Sequence, residues 1–221
     1  MIIDELRQKL WNGADPFAGF PARLIAEDSQ GWTSQHPYLA SEVEALRPQV
    51  VVEIGVWKGG STLTMAHKLK ELGIDGAVIA VDTWLGSWDH WVDPNLREEL
   101  CIQNGYPRLF EKFSANITHH GVHDFVVPLP LDSVNARHVI SRLGIVPDII
   151  HIDGGHDYDA VMTDLAQWWP VLRPGGVFIG DDYFENGTVW PEVFRSINDF
   201  LANTPHWGFE FHSGKCRAIK I

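Results

Sequence analysis

The feature that most constrains this chain is a regular alternation of unbroken apolar runs with longer segments of helical periodicity. Val50-Val51-Val52-Glu53-Ile54-Gly55 opens the series, and an apolar run without polar interruption at every second place suits a strand covered on both faces. A helix over 61–73 follows, with Ser61 expected at its N-cap and Gly73 at its C-terminal stop. The pairing then repeats. Strand 77–82 leads through a Trp-rich loop to a helix near 95–113. Strand 125–129 precedes helix 133–143, strand 148–153 precedes helix 157–172, and strand 175–182 precedes helix 190–202. The last runs, "WGFEFH" and "CRAIKI", alternate and are joined by Ser213-Gly214-Lys215, a β-hairpin pattern. Strands separated by helices make a parallel, doubly wound sheet. The expected fold is therefore α/β, with a mostly parallel seven-stranded sheet and one antiparallel strand from the C-terminal hairpin. Upstream, 1–11 and 38–47 read as short helices, broken by the Gly- and Pro-containing stretch 13–21 and stopped by Pro48. The expected organisation is a helical extension over residues 1–48, packed on one main domain over residues 49–221.

Composition narrows the partners. At 221 residues one sizeable core suffices, and 45% hydrophobic with 21% charged residues is a globular balance. A net charge of −12 argues against nucleic acid or an anionic membrane as partner. No run approaches the roughly 20 apolar residues of a membrane span, and the opening Met-Ile-Ile-Asp-Glu-Leu-Arg is unlike a secretory signal. Cys101 and Cys216 have neither metal-ligand nor redox spacing, so a cytoplasmic location is expected. Small molecules or other proteins remain, and self-association stays open. Ten tryptophans stand out; Trp84, Trp88 and Trp91 follow one strand closely, where aromatic rings either pack or cover a ligand.

The loop "EIGVWKGGST" (53–62) joins the first core strand to its helix. Gly55, Gly59 and Gly60 allow a tight turn and close backbone approach. The dinucleotide pattern G-x-G-x-x-G is absent, because Val56-Trp57-Lys58 separates Gly55 from Gly59. Trp57 would crowd a pyrophosphate at the helix start. Glu53 would repel an anion and attract an ammonium. S-adenosylmethionine carries an ammonium and a sulfonium and no phosphate, so this loop, with Ser61, suits it better than NAD. Asp82, next to Thr83, ends the second strand 22 residues after Gly60, the place where doubly wound folds put a ribose-binding acid. After the third strand, Asp132 and Ser133 either flank the adenine or, for Asp132, cap the next helix.

The densest chemistry lies in "HIDGGHDYDA" (151–160). Consecutive parallel strands joined by a right-handed crossover lie about 4.8 Å apart. Asp153 at one strand's end and Asp181-Asp182 at the next are then expected as neighbours. Three carboxylates so close would raise each other's pKa unless something positive sits among them, and oxygen donors suit a hard cation, Mg²⁺ first. His156 has the chemistry of a general base near neutral pH, with Asp153 as the alternative base.

"VVEIGVWKGGST", "VIAVDTW" and "DIIHIDGGHDYDAVMTDLAQWWPVLRPGGVFIGDDY" together resemble class I S-adenosylmethionine-dependent methyltransferases, over about residues 50–202. The subgroup most similar in pattern is the metal-dependent sugar O-methyltransferases of the macrocin and mycinamicin type. The resemblance implies metal ligands at Asp153, Asp181 and Asp182 and a base at His156. The second ligand is often Glu in that group and is Asp here, and residues 1–48 match nothing in it. The implied activity is methyl transfer to a hydroxyl of a small molecule, a sugar or glycosylated natural product. The alternative is a cofactor-binding accessory protein of a natural-product oxidation system, without transfer of its own.

Overall fold

The computed structural model describes residues 1–221. The elements follow the order α1 (Ile2–Trp11), α2 (Pro37–Leu46), β1 (Val50–Ile54), α3 (Gly60–Glu71), β2 (Ala77–Val81), α4 (Trp88–Val92), α5 (Pro94–Glu99), α6 (Leu109–His119) and β3 (Val126–Leu129). Then come α7 (Ser133–Arg142), β4 (Ile149–Ile152), α8 (Tyr158–Trp168), β5 (Val177–Tyr183), α9 (Pro191–Ala202), β6 (His206–His212) and β7 (Gly214–Lys220). One seven-stranded sheet has the order β3-β2-β1-β4-β5-β7-β6. β1 to β5 are parallel, and β7 runs antiparallel to both its neighbours. The expected fold class is the one observed.

Alternation along each strand divides the core in two. Val50, Val52 and Ile54 of β1 face a layer that contains α1, α7, α8 and α9, while Val51 faces α2, α3 and α6. β1 to β4 are buried throughout. Hence their runs are nearly all apolar, and the polar exceptions Glu53 and His151 have to be explained by partners inside the protein.

Two local expectations are corrected. The helix expected near 95–113 is two, α5 and α6, and the Trp-rich loop before it holds a third, α4: Pro94 opens α5, and an irregular stretch containing Gly105 and Pro107 separates it from α6. Ser61 is not the N-cap of α3. The helix starts one residue earlier behind Gly59, at φ 90°, and the Ser61 hydroxyl turns inward to Glu53.

The N-terminal segment is tied to the sheet. α1 contributes Ile3 and Leu6 to one core layer and α2 contributes Leu39 and Val43 to the other. Trp11 Nε1 donates to the Pro128 carbonyl at 2.9 Å. Between the two helices the chain crosses the glycine loop, where a Cβ on Gly60 would lie 2.8 Å from the Ser34 side chain.

Candidate active site

The C-terminal ends of β1, β2 and β4 open into a cleft of about 290 Å³, walled by Gly55, Asp82, Thr83, Leu131, Asp132, Ser133 and the segment Asp153–His156. Parallel strands bring these residues together because every crossover returns the chain in the same direction. Gly55 makes the junction possible. It has φ 79°, and a Cβ there would fall 1.8 Å from the Asp153 carbonyl oxygen.

Asp82 is the organiser of the glycine loop. Its Oδ2 accepts from the backbone N–H groups of Val56 and Trp57 at 2.8 and 2.9 Å, and its Oδ1 accepts from Trp84 N–H at 2.7 Å. A carboxylate offers about four acceptor positions, so one remains for a ligand hydroxyl. Burial raises the Asp82 pKa, against the lowering effect of these amides.

Other expected binding residues separate into two groups. Asp132 caps α7 by accepting from Asn135 N–H at 3.0 Å and also lines the cleft. The Ser133 hydroxyl donates to Asp164 and accepts from Trp168 Nε1 at 2.8 Å. Asp164 also lines the cleft, and burial pushes its carboxyl up to about 6. By contrast Glu53, Gly59, Gly60 and Ser61 are not in the cleft wall. Glu53 is fully buried beneath α3, bonded by the Ser61 and Thr62 hydroxyls and 3.2 Å from His151 Nδ1. It cannot meet an ammonium from that position. Gly59 packs on Phe113 and Gly60 on Ser34, so their open space is filled by the protein itself.

The aspartates do not form the expected trio. The β5–β7 register shifts between Gly180 and Tyr183, and Asp182 has a left-handed φ of 55°. A bulge of this kind re-aims side chains. Asp181 points to the buried face, where Lys215 Nζ donates to Oδ2 and Thr33 Oγ1 donates to Oδ1 at 2.8 Å. Asp182 points to a small pocket that adjoins the cleft at Asp153 and His156, with Oδ2 2.8 Å from His156 Nε2. Asp153 stands between them. It forms one compact donor group with His156 and Asp182 and another with His151 and Asp181, each with its ligating atoms within 4.8 Å. Burial pushes Asp153 up to about 7 against the opposing pull of Lys215, and pushes Lys215 down to about 8 against its acidic neighbours.

His156 stacks on Trp190, with ring centroids 4.2 Å apart and planes inclined by 16°. On the opposite side, Trp57 stacks on His90 at 4.5 Å, and both line the cleft with Trp32. Trp84 is core and donates to the Trp57 carbonyl at 3.0 Å, while Trp88 and Trp91 are exposed.

The sequence reading missed Lys215, Thr33, His90, Asp164 and Trp190. Lys215, Arg217 and Ile219 alternate with Cys216 and Ala218, a pattern that reads Lys215 as solvent-facing. Asp164 carried a usable signal: it lies on the helix face of Val161, Leu165 and Trp168, where a lone acid demands a partner.

A cleft at the strand ends of this seven-stranded, singly antiparallel sheet defines a methyltransferase-type Rossmann-like protein. The family description "Methyltransferase domain" matches residues 52–183, and the chain belongs to that family. A relative, the uncharacterized protein y4gI of Sinorhizobium fredii, is 25% identical over 154 residues. That match takes in 68% of this chain and 15% of y4gI; a mimivirus relative at 28% identity is matched over 59% of its length. Among solved structures, the Bacillus cereus O-methyltransferase bound to SAH has TM-score 0.58 at 17% identity, with all of both chains covered. TomG of Streptomyces achromogenes, an O-methyltransferase of tomaymycin synthesis bound to SAM, has TM-score 0.61 at 14% identity, covering 99% and 96%. At these identities the structures share the fold with this chain.

Proposed function

We propose that the protein is an S-adenosylmethionine-dependent O-methyltransferase acting on a hydroxyl of a small molecule, with a sugar or glycosylated natural product as the first class to try. The observation that carries this reading is the His156–Asp182 pair at 2.8 Å beside the cleft lined by Asp82. Cofactor-bound methyltransferases of the same fold support the choice of cofactor.

When bound, the cofactor supplies a methyl group on a positively charged sulfur. Asp82 then offers its last acceptor position to a ribose hydroxyl, and Asp132 and Ser133 border the adenine side. Asp182 accepts the Nε2 proton of His156, which leaves Nδ1 with a lone pair for the acceptor's hydroxyl proton. Trp190 holds the imidazole plane. The alkoxide so formed attacks in line, and the rate comes largely from positioning.

The donor set suits a divalent cation only in part. Asp153, Asp182 and His156 have the spacing to hold one, with Mg²⁺ first by donor type, whereas Asp181 is engaged by Lys215 and Thr33. Such an ion would occupy the His156 imidazole and, in place of that base, would acidify a hydroxyl beside it.

The test is transfer of labelled methyl from S-adenosylmethionine to a panel of sugars, glycosides and catechols, with and without EDTA, beside calorimetry with S-adenosylhomocysteine and NAD. Methylated product with S-adenosylhomocysteine binding is expected. Binding of NAD in place of S-adenosylhomocysteine would overturn the cofactor assignment.

A further inference from the structure

Lys215 is fully buried on β7, with no contact to solvent for its amine. Its Nζ donates to Asp181 Oδ2 and lies 3.3 Å from His151 Nε2; His151 in turn reaches Glu53. Oδ1 of Asp181 is filled from the other side, because Thr33 Oγ1 and the Asp182 backbone N–H both donate to it at 2.8 Å. The lysine thus stands where the mutual repulsion of Asp153, Asp181 and Glu53 would otherwise call for an external positive charge.

We propose that Lys215 is an internal cation that makes Asp181 a structural residue and withdraws it from ion binding, so that a divalent ion at this site is held through Asp153, Asp182 and His156. Three consequences follow from the geometry. Asp181 contributes nothing to ion affinity while Lys215 is present. Removing the ammonium frees Asp181 and lets an ion take the vacated charge. Any ion so placed is held by two carboxylates and one imidazole, a weaker set than three carboxylates. The inference rests on the proposed function only for the location of the ion.

The experiment measures Mn²⁺ binding by electron paramagnetic resonance on the full chain, with S-adenosylhomocysteine calorimetry and circular dichroism run in parallel. Asp181→Asn, which keeps one of the two acceptor oxygens, is expected to leave Mn²⁺ affinity within about twofold of the unsubstituted protein. Lys215→Met is expected to tighten Mn²⁺ tenfold or more, and adding Asp181→Asn to it should cancel the gain. Lys215→Gln replaces the methionine variant if that does not fold, and Asp181→Asn alone decides if neither does. A tenfold loss of Mn²⁺ affinity in Asp181→Asn would overturn the proposal. So would a folded Lys215→Met protein with unchanged affinity. Loss of S-adenosylhomocysteine binding in the unsubstituted protein would instead count against the methyltransferase reading and leave the ion result standing.

Discussion

His156 shows how little freedom a reactive side chain has here: Asp182 holds one ring edge and Trp190 covers one face. His156→Ala should therefore lower turnover roughly 10²–10⁴-fold, the usual size of a general-base contribution, with S-adenosylhomocysteine affinity unchanged by calorimetry. Near-normal turnover would move the base to Asp153. Asp164 gives a second residue-scale expectation, about pH. Burial raises its carboxyl from 3.8 to about 6, so the folded protein binds its proton more tightly than the unfolded chain does. The stabilisation from that proton is complete below about pH 4 and is lost as pH rises through 6. Asp164→Asn, which keeps an oxygen for the Ser133 hydroxyl, should match the parent's stability at pH 4 and exceed it by up to about 3 kcal/mol above pH 6. Denaturant midpoints at a series of pH values check this, and parallel curves would show that the acid is not strained by burial. Both residues also mark how far a linear reading reaches. His156 was legible because it follows Asp153 closely at the end of a recognisable strand, although its partners Asp182 and Trp190 lie on later elements. The Asp164–Ser133 contact spans 31 positions, and sequence separation hides such pairs.

Among the elements, α4 and α5 after β2 contribute no buried residue. Trp84 anchors the start of this segment in the core, whereas Trp88 and Trp91 on α4 are 70% and 42% exposed. Gly86, Ser87 and His90 from this segment line the cleft. Adding S-adenosylhomocysteine should slow proteolysis within residues 86–95 several-fold. Equal cleavage rates with and without ligand would make α4 a fixed cover. The strands and most helices were legible because continuous apolar runs and caps are local signals. The breaks that separate α4, α5 and α6 were marked by Pro94, Gly105 and Pro107, whereas the ion pairs that hold α5 were not legible: the buried Lys58 holds Glu99 at 2.6 Å and Asp28 at 2.7 Å.

For the molecule as a whole, the sheet carries two core layers, and α1 and α2 each contribute to one of them. We expect the N-terminal extension to unfold together with the main domain. Leu6→Ala and Leu39→Ala, both at fully packed sites, should each cost about 2–5 kcal/mol. Urea unfolding followed by fluorescence and circular dichroism should remain one transition, and two separated transitions would show an independent extension. The seven-stranded class was readable from the order of periodic segments, but the place of the last strand was not. β7 lies between β5 and β6 although both precede it in the chain. The crossover through α9 would naturally land β6 directly beside β5 and parallel to it, as a six-stranded sheet closes. The hairpin therefore joins the sheet through its second strand, and the register of that strand to one residue matters. A slip of one place on β7 would present Cys216 to the acids and turn Lys215 to the opposite layer. Such a molecule would keep its helices and its first five strands and pass most tests of foldedness, yet its acids would have lost their counter-charge. The final hairpin is thus a checkpoint that global spectroscopy cannot see and only the chemistry of the cleft can report.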